Sequence, residues 1–231
     1  MVVDNGTGDL QIKSNKYLRL IGNKKNLGYA AGINIGIKEA LKDRLCKYIL
    51  ILNNDTVLPA DFFRKILPPL YDVTGPIVMF RWKGNNKYDF GGKINFITGR
   101  TTHPASTLRN ENKFSGNKID YISGCCMFVK RQVFDTVGLF DERFFFYFED
   151  VDFCTRAKRA GFSVGVNTKV YIEHKLSASI GKWSEKAIKY SLYSNLLFIN
   201  KHMGLERVIA WSYLLLLTVK IFINRYIMHK R

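Results

Sequence analysis

Acidic residues are scarce in this chain. Of its 231 residues only 19 are Asp or Glu, against 36 Lys or Arg, for a formal charge of +17. The deficit is steepest from Arg156 to the end, where 14 basic residues face 3 acidic ones. Such a balance implies an anionic partner: a nucleotide, a nucleic acid or an anionic membrane surface. A solvated basic face that only confers solubility is the alternative. Helix-turn-helix, RRM and zinc patterns are missing, which argues against nucleic acid. Cysteine is sparse as well. Cys46, Cys125, Cys126 and Cys154 have no CxxC or zinc spacing, so buried reduced thiols of a cytosolic protein account for them. The apolar run from Val208 to Val219 ends at Lys220 and falls short of the roughly 20 residues a membrane span needs. No signal peptide is visible, because the first residues read as a strand and a turn.

What is present supports a folded α/β domain. The chain is 47% hydrophobic and 14% aromatic, enough to bury a core. "KYLRLIGN" reads as a short strand, and the second half of "NLGYAAGINIGIKEALK" as a helix whose small residues suit close approach to backbone or ligand. "KYILIL" is a continuous apolar run, the pattern of a strand buried on both faces of a parallel sheet. "PADFFRKILPPLYDV" reads as a helix with Pro59 near its first turn. Turn signals break Gly75 to Asn117 into strands and loops. "RQVFDTVG" is a short helix, "FYFEDVDFCTRAKRAG" a helix that opens with acids and stops at Gly161, and "SVGVNTKVYIEHKLSAS" a strand leading into a polar loop. The C-terminal segment differs: "KAIKYSLYSNLLFINKHMG" is an amphipathic helix. The apolar stretch after it, flanked by Arg207, Lys220, Arg225, Lys230 and Arg231, suits a helix lying on anionic lipid, or else a buried packing helix with a basic tail.

Carboxylates at the carboxyl ends of strands are the first candidates for chemistry, because ligands bind there in open α/β sheets. Asp4 follows "VV" and Asp55 follows "YILIL". If the two strands are parallel in one sheet, both acids face one crevice, where a divalent cation could sit against phosphate oxygens. "NNDT" reads equally well as an Asx turn with a helix cap. Glu149, Asp150 and Asp152 form an acid cluster. Asp152 has Arg156 as an i, i+4 partner, whereas Glu149 or Asp150 could cap the helix or act as a general base. A helix start lowers a carboxyl pKa, so a base there needs desolvation, for which the aromatic run Phe144 to Phe148 offers a wall. His174 becomes a metal candidate only if the fold brings it near Asp55.

Taken in order, these stretches resemble the family 2 glycosyltransferases, especially the bacterial rhamnosyltransferase-like enzymes, over roughly Val2 to Ser179. "VVDNGTGD" looks like the family's VVDN-x-S-x-D turn, with Thr7 and Asp9 in its last positions. "NLGYAAGINIGI" looks like its glycine-spaced helix. "YILILNNDTVL" is similar to the strand that ends in a DXD-type metal motif, here written Asn-Asn-Asp. "GLFDERFFFYFEDVDFCTRAKRAG" is similar to the block holding the ED motif, and "VYIEHKLSAS" to the block holding a metal-binding histidine.

The resemblance implies a GT-A (Rossmann-like) α/β fold, a mixed sheet flanked by helices, over residues 1–181. A basic helical extension over 182–231 would follow, fit to lie at a membrane interface. It implies a nucleotide-diphosphate sugar donor, a divalent cation (Mg2+ or Mn2+) and inversion at the anomeric carbon. Carried over by position, Asp55 and His174 would bind the metal, and Asp150 would be the general base with Glu149 beside it. Asp4 would contact the nucleotide base, Asn53 and Asn54 would line the ribose and diphosphate, and Asn26, Asn34 and Gly124 would lie on the donor side. Asn53 stands where the family more often has an acid, which removes one charge. The family's first strand and helix precede the VVDN strand and are missing from the chain as written, so the expectation is an incomplete chain that folds poorly or is inactive. The function implied is sugar transfer to a lipid-linked or growing glycan in surface polysaccharide synthesis, by a cytoplasmic protein peripheral at the inner face of the membrane. The competing class is a non-catalytic sugar-nucleotide-binding or membrane-associated descendant. A sugar nucleotidyltransferase would show a Gly-rich phosphate loop with a basic residue near its N-terminus, and none is visible.

Overall fold

The computed structural model describes residues 1–6, 8, 13–103, 119–175 and 184–228. Thr7 and Asp9 of the first motif, and the expected domain boundary at 181/182, lie outside the described residues. The strands are β1 (Val2–Asp4), β2 (Leu20–Gly22), β3 (Tyr48–Leu52), β4 (Thr56–Val57), β5 (Val73–Trp82), β6 (Asn85–Asp89), β7 (Lys93–Asn95), β8 (Arg100–Thr102), β9 (Cys126–Lys130) and β10 (Val164–His174). The helices are α1 (Tyr29–Ala40), α2 (Phe62–Ile66), α3 (Arg131–Val137), α4 (Glu149–Arg159), α5 (Glu185–His202) and α6 (Arg207–Met228).

The main sheet runs β3-β9-β5-β10-β4, with β6 folded back on β5. It is mixed: β5 and β10 are parallel, while β3–β9, β9–β5 and β10–β4 are antiparallel. This corrects the reading of "YILIL" as a doubly buried parallel strand. β3 ends the sheet order, pairs antiparallel with β9, and only Ile51 of its five residues is buried. β1 and β2 form a separate parallel pair, so Asp4 and Asp55 do not share a sheet.

Helix α1 joins the two sheets by packing on both β1 and β3. Its small residues explain how: a Cβ at Gly32 would stand 2.8 Å from the Asn5 amide nitrogen, and one at Gly36 would stand 3.2 Å from Val3. Helix α2 is shorter than its pattern suggested. Leu67 precedes Pro68 and is extended, as a residue before proline prefers to be.

The core continues into the C-terminal helices. Phe198 of α5 is fully buried in the main hydrophobic cluster with Phe148 and Leu197 packed nearby. Ser194 Oγ donates to the Phe146 carbonyl at 2.9 Å. The helix after the expected boundary therefore packs as part of the same body. Helix α6 runs through Lys220 without a break, and its Arg207–Arg225 stretch, of mean hydropathy 1.4, is long and apolar enough to cross a membrane by length and composition. The four cysteines are free thiols. Burial pushes the Cys125 thiol up to about 12, so it stays protonated.

Candidate active site

Three strand ends and two helix starts meet at one place. Asp55 occupies the turn between β3 and β4, and His174 is the last residue of β10. Antiparallel pairing sets His174 opposite Thr56, and the Lys175 N–H donates to the Asp55 carbonyl at 2.9 Å. This register places His174 Nε2 3.1 Å from Asp55 Oδ1. The two residues that sequence reasoning could only join conditionally are thus neighbours. Both are mostly buried, with side chains 15% and 17% exposed.

The next turn of the site hangs on Tyr29, the first residue of α1, which sequence reasoning did not single out. Its hydroxyl lies 2.7 Å from the Gly124 carbonyl oxygen and 2.6 Å from the Asn53 side-chain oxygen. Its one proton is shared between these two acceptors, of which the Asn53 oxygen is the nearer. The Asn53 N–H donates to the Cys125 carbonyl at 2.9 Å, and the Tyr29 N–H to the Phe145 carbonyl at 2.8 Å. Gly28 makes this approach possible: its φ is 88°, and a Cβ there would fall 2.7 Å from the Phe145 ring. Burial, first of all, holds the Tyr29 hydroxyl well above its usual pKa, so it stays protonated and remains a donor.

Gly124 passes the chain of contacts to the acid pair. Its N–H donates to Asp150 Oδ2 at 2.9 Å, and the Val151 N–H to Asp150 Oδ1 at 2.8 Å. Tyr147 and Phe148, just before α4, both have left-handed backbones, with φ of 69° and 67°. Two consecutive bulky residues in that region cost on the order of 1–3 kcal/mol each, strain of the kind found where a site must be held in place. Glu149 is buried, and its Oε2 has no hydrogen-bond partner. Burial, with Asp150 beside it, drives its pKa well above the ordinary carboxyl value. Burial and like charge thus favour keeping a proton on the pair. Burial also raises Asp150, against the pull of the Gly124 N–H, His103 and the Val151 N–H. Burial thus outweighs the helix terminus at Asp150.

A second pair escaped the sequence reading. His103 Nδ1 lies 2.8 Å from Asp89 Oδ2, and the His103 ring meets the Tyr121 ring edge-on at 4.8 Å. Burial works against charging His103, but the Asp89 bond and the field of Asp150 outweigh it and raise its pKa. The pair sits between β6 and the end of β8, where the sequence offered only turn signals.

The donor-side expectations divide. Asp4 ends β1, is buried, and accepts from the Gly8 N–H at 3.1 Å. Asn5 beside it donates to the Gly28 carbonyl at 2.8 Å, so the ends of β1 and β3 both reach the start of α1 although they lie in different sheets. Asn26 is exposed and accepts from the Gly28 N–H at 2.8 Å, and Asn54 is exposed beside Asp55. Asn34 is engaged within the fold. It is 1% exposed, its amide donates to the Phe140 carbonyl and Glu142, and its oxygen accepts from the Phe140 N–H. These bonds tie α1 to the loop that holds Phe140 and Glu142.

Among the described residues no cluster of three or more His, Cys, Asp or Glu side chains forms a metal site. The Asp55–His174 pair nevertheless fits a divalent cation: one carboxylate and one imidazole, with the remaining positions left for phosphate and water oxygens.

Comparison with known proteins bears on the chain's family and fold. A family model described as glycosyl transferase family group 2 matches residues 48–229. The low-salt glycan biosynthesis hexosyltransferase Agl10 of Haloferax volcanii is 28% identical over 174 residues, 71% of this chain and 55% of the relative. The N-acetylglucosaminyl-diphospho-decaprenol L-rhamnosyltransferase of Mycobacterium tuberculosis is 35% identical over 101 residues, 42% of this chain and 33% of that one. Rhamnosyltransferase WbbL of Escherichia coli is 22% identical over 187 residues, covering 74% and 70%. The chain spans about half the length of the first of these relatives and a third of the second. Among solved structures, GalNAc-T7 with UDP, GalNAc and Mn2+ superposes with a TM-score of 0.56 at 12% identity, over 78% of this chain and 36% of that one. The shared fold is GT-A.

Proposed function

Because the chain belongs to glycosyl transferase family group 2, we propose that it moves a sugar from a nucleotide-diphosphate donor, with inversion, to a hydroxyl of a lipid-linked or growing glycan. The observation that carries this reading is the run of contacts from Asn53 through Tyr29 and Gly124 to Asp150, which fixes the metal-side turn against the acid pair. Asp55 and His174 would hold Mg2+ or Mn2+, which when bound supplies positive charge against the diphosphate leaving group. Asp4, Asn53 and Asn54 face the nucleotide. Asp150 accepts the proton of the acceptor hydroxyl as its oxygen attacks the anomeric carbon and the bond to the diphosphate breaks. Glu149, whose burial favours its neutral form, lines the acceptor side. The decaprenol-linked substrate in the name of the Mycobacterium tuberculosis relative supports a lipid-linked acceptor. It fits a cytoplasmic protein held at the inner face of the membrane.

The deciding experiment is donor hydrolysis and transfer by the 231-residue chain, across a panel of nucleotide sugars with Mg2+ or Mn2+, beside Asp55→Ala and Asp150→Ala. Turnover lost in both variants is the expected result, and turnover by the wild-type chain also overturns the expectation of an inactive one. Wild-type rates in both variants would sink the residue assignment. Nucleotide binding without turnover in the wild type would leave a sugar-nucleotide-binding protein instead.

A further inference from the structure

Among the described residues, nothing covers the outer face of α6. Ala210 and Leu214 pack on Ile199 of α5 and on Met203 just after it, but Val208, Leu215, Leu216, Val219, Phe222 and Ile223 are each between 46% and 68% exposed. These positions recur at the spacing of one helix face. Arg207 stands exposed at the start of this helix, Lys220 exposed along it and Arg225 half-buried near its end, and residues 207–228 contain no acid.

We infer that this face docks into an anionic lipid bilayer, with α6 lying in the plane of the headgroups. The inference deepens the proposed function by naming the surface that meets the membrane, and it rests on that reading only for its purpose. Charge decides between the two obvious occupants. A second copy pairing through the same face would bring two sets of Arg207, Lys220 and Arg225 together, with no acid on either helix to answer them. Anionic headgroups answer all three while the apolar side chains enter the acyl boundary.

Packing decides between lying and crossing. Helix α5 follows α6 from Met203 and Ala210 back to Leu192 and Leu217. It carries the exposed Glu185–Lys189 pair and Lys186, and Phe198 pins it to the main core. A spanning α6 would drag those charges, and the domain behind them, into hydrocarbon. Lying flat costs nothing of the kind, and Lys220 reaches the headgroups along its own stem. Trp211 suits the same depth: it is 41% exposed, with its indole N–H donated to Asn200 at 2.9 Å.

The arrangement bears on catalysis because α5 is a single helix between that surface and the acid pair. Tyr190 stacks on Phe145 at 4.9 Å, Ser194 bonds to Phe146, and His202 Nε2 lies 2.7 Å from Asp152 Oδ1 on the helix that bears Asp150. A bilayer under α6 is thereby held in fixed register with Asp150.

The test is flotation of the purified chain with vesicles of phosphatidylcholine alone, or with one quarter phosphatidylglycerol, in the absence of donor and acceptor. The wild type is expected to float at least tenfold more with the anionic vesicles, with a blue shift of its tryptophan emission, and to be released by alkaline carbonate. A Leu215→Glu, Leu216→Glu, Phe222→Glu variant changes only exposed side chains. It should fall to the level seen with neutral vesicles while keeping its circular dichroism. No wild-type binding, equal binding by the variant, or a wild-type dimer that the variant dissolves would overturn the inference, and retention after carbonate would overturn the flat orientation. Since neither sugar donor nor turnover enters the measurement, its failure is separable from failure of the transferase reading.

Discussion

His174 Nε2 stands 3.1 Å from Asp55 Oδ1, although 119 residues separate the two in sequence. Pairing of β10 with β4 brings them together, so the contact belongs to the fold and not to a local turn. Two groups offer a cation little on their own, and each should matter. His174→Ala is expected to raise the Mn2+ concentration for half-maximal activity by at least about tenfold, with a smaller change at saturating Mn2+. Asp55→Ala should not be rescued at any Mn2+ concentration. Titration of activity with Mn2+ after chelation checks both, and an unchanged midpoint in His174→Ala would remove it from the metal site.

How much of this was readable beforehand varies by residue. The apolar run of β3 announced a strand, but nothing in five aliphatic positions says whether a second neighbour exists, so the parallel, doubly buried reading failed. Helix α4 was legible because acids open it and a glycine closes it. Asp55, His174 and Asp150 were found through the order of their motifs. The meeting of Asp55 with His174 depends on long-range strand register, which local pattern does not encode. Tyr29 was hidden in a stretch that advertised its glycines. Asp89 and His103 are 14 residues apart in a region of turn signals, with no periodicity to link them. Lys220 was read as ending an apolar run, whereas a long stem lets lysine sit within an amphipathic helix.

Tyr29→Phe isolates the bridge between the two halves of the site. It removes one hydroxyl and leaves the Gly124 carbonyl and the Asn53 amide without that partner. The cost in stability is expected to be about 1 kcal/mol, because the site is only partly buried and water can substitute. The cost in kcat/KM should be larger, about tenfold or more, since misplacing a reacting group by a fraction of an ångström slows the chemistry more than it loosens the fold. Urea unfolding and steady-state kinetics on the same preparation separate the two. Equal losses in both would mean the bridge is only structural.

The pH profile should carry the mark of His103. Asp150 must be ionised to accept a proton, and burial raises its pKa, so activity is expected to climb through a pH above the ordinary carboxyl value of about 4. The titratable groups facing Asp150 are Glu149, His103, Tyr29, Tyr121, Cys125 and Cys154, and His103 is the cation among them. Removing a positive charge disfavours the carboxylate, so His103→Gln should move the acid limb to higher pH. The side chain is 40% exposed, so solvent screening keeps the shift small. Activity should recover at alkaline pH, where Asp150 is ionised in either protein. A profile that falls uniformly at every pH would count against an electrostatic role.

Asp152 presents the sharpest stability test. It is fully buried on α4 and meets three cationic or protonatable partners: Arg156 at 2.8 Å, Lys201 at 2.7 Å and His202 at 2.7 Å. Burial alone would raise its pKa, but the His202 bond and the charges of Arg156 and Lys201 outweigh it and lower it. A carboxyl depressed in the folded state contributes stability that is present above its unfolded pKa and lost as pH falls through the folded one. Asp72 follows the same rule: burial opposes ionisation, yet the bonds from Lys130 and Ser163 pull it down to about 2. The folded chain should therefore lose stability progressively below about pH 4. Asp152→Asn removes the charge but keeps the shape, leaving Arg156 and Lys201 less compensated, and is expected to cost on the order of 3 kcal/mol at pH 7. The gap between wild type and variant should narrow as the pH approaches the folded pKa of Asp152. Urea titrations from pH 7 down to pH 3 follow the difference. A gap that stays constant would show that packing, and not the charge on Asp152, holds α5 against the helix that carries Asp150.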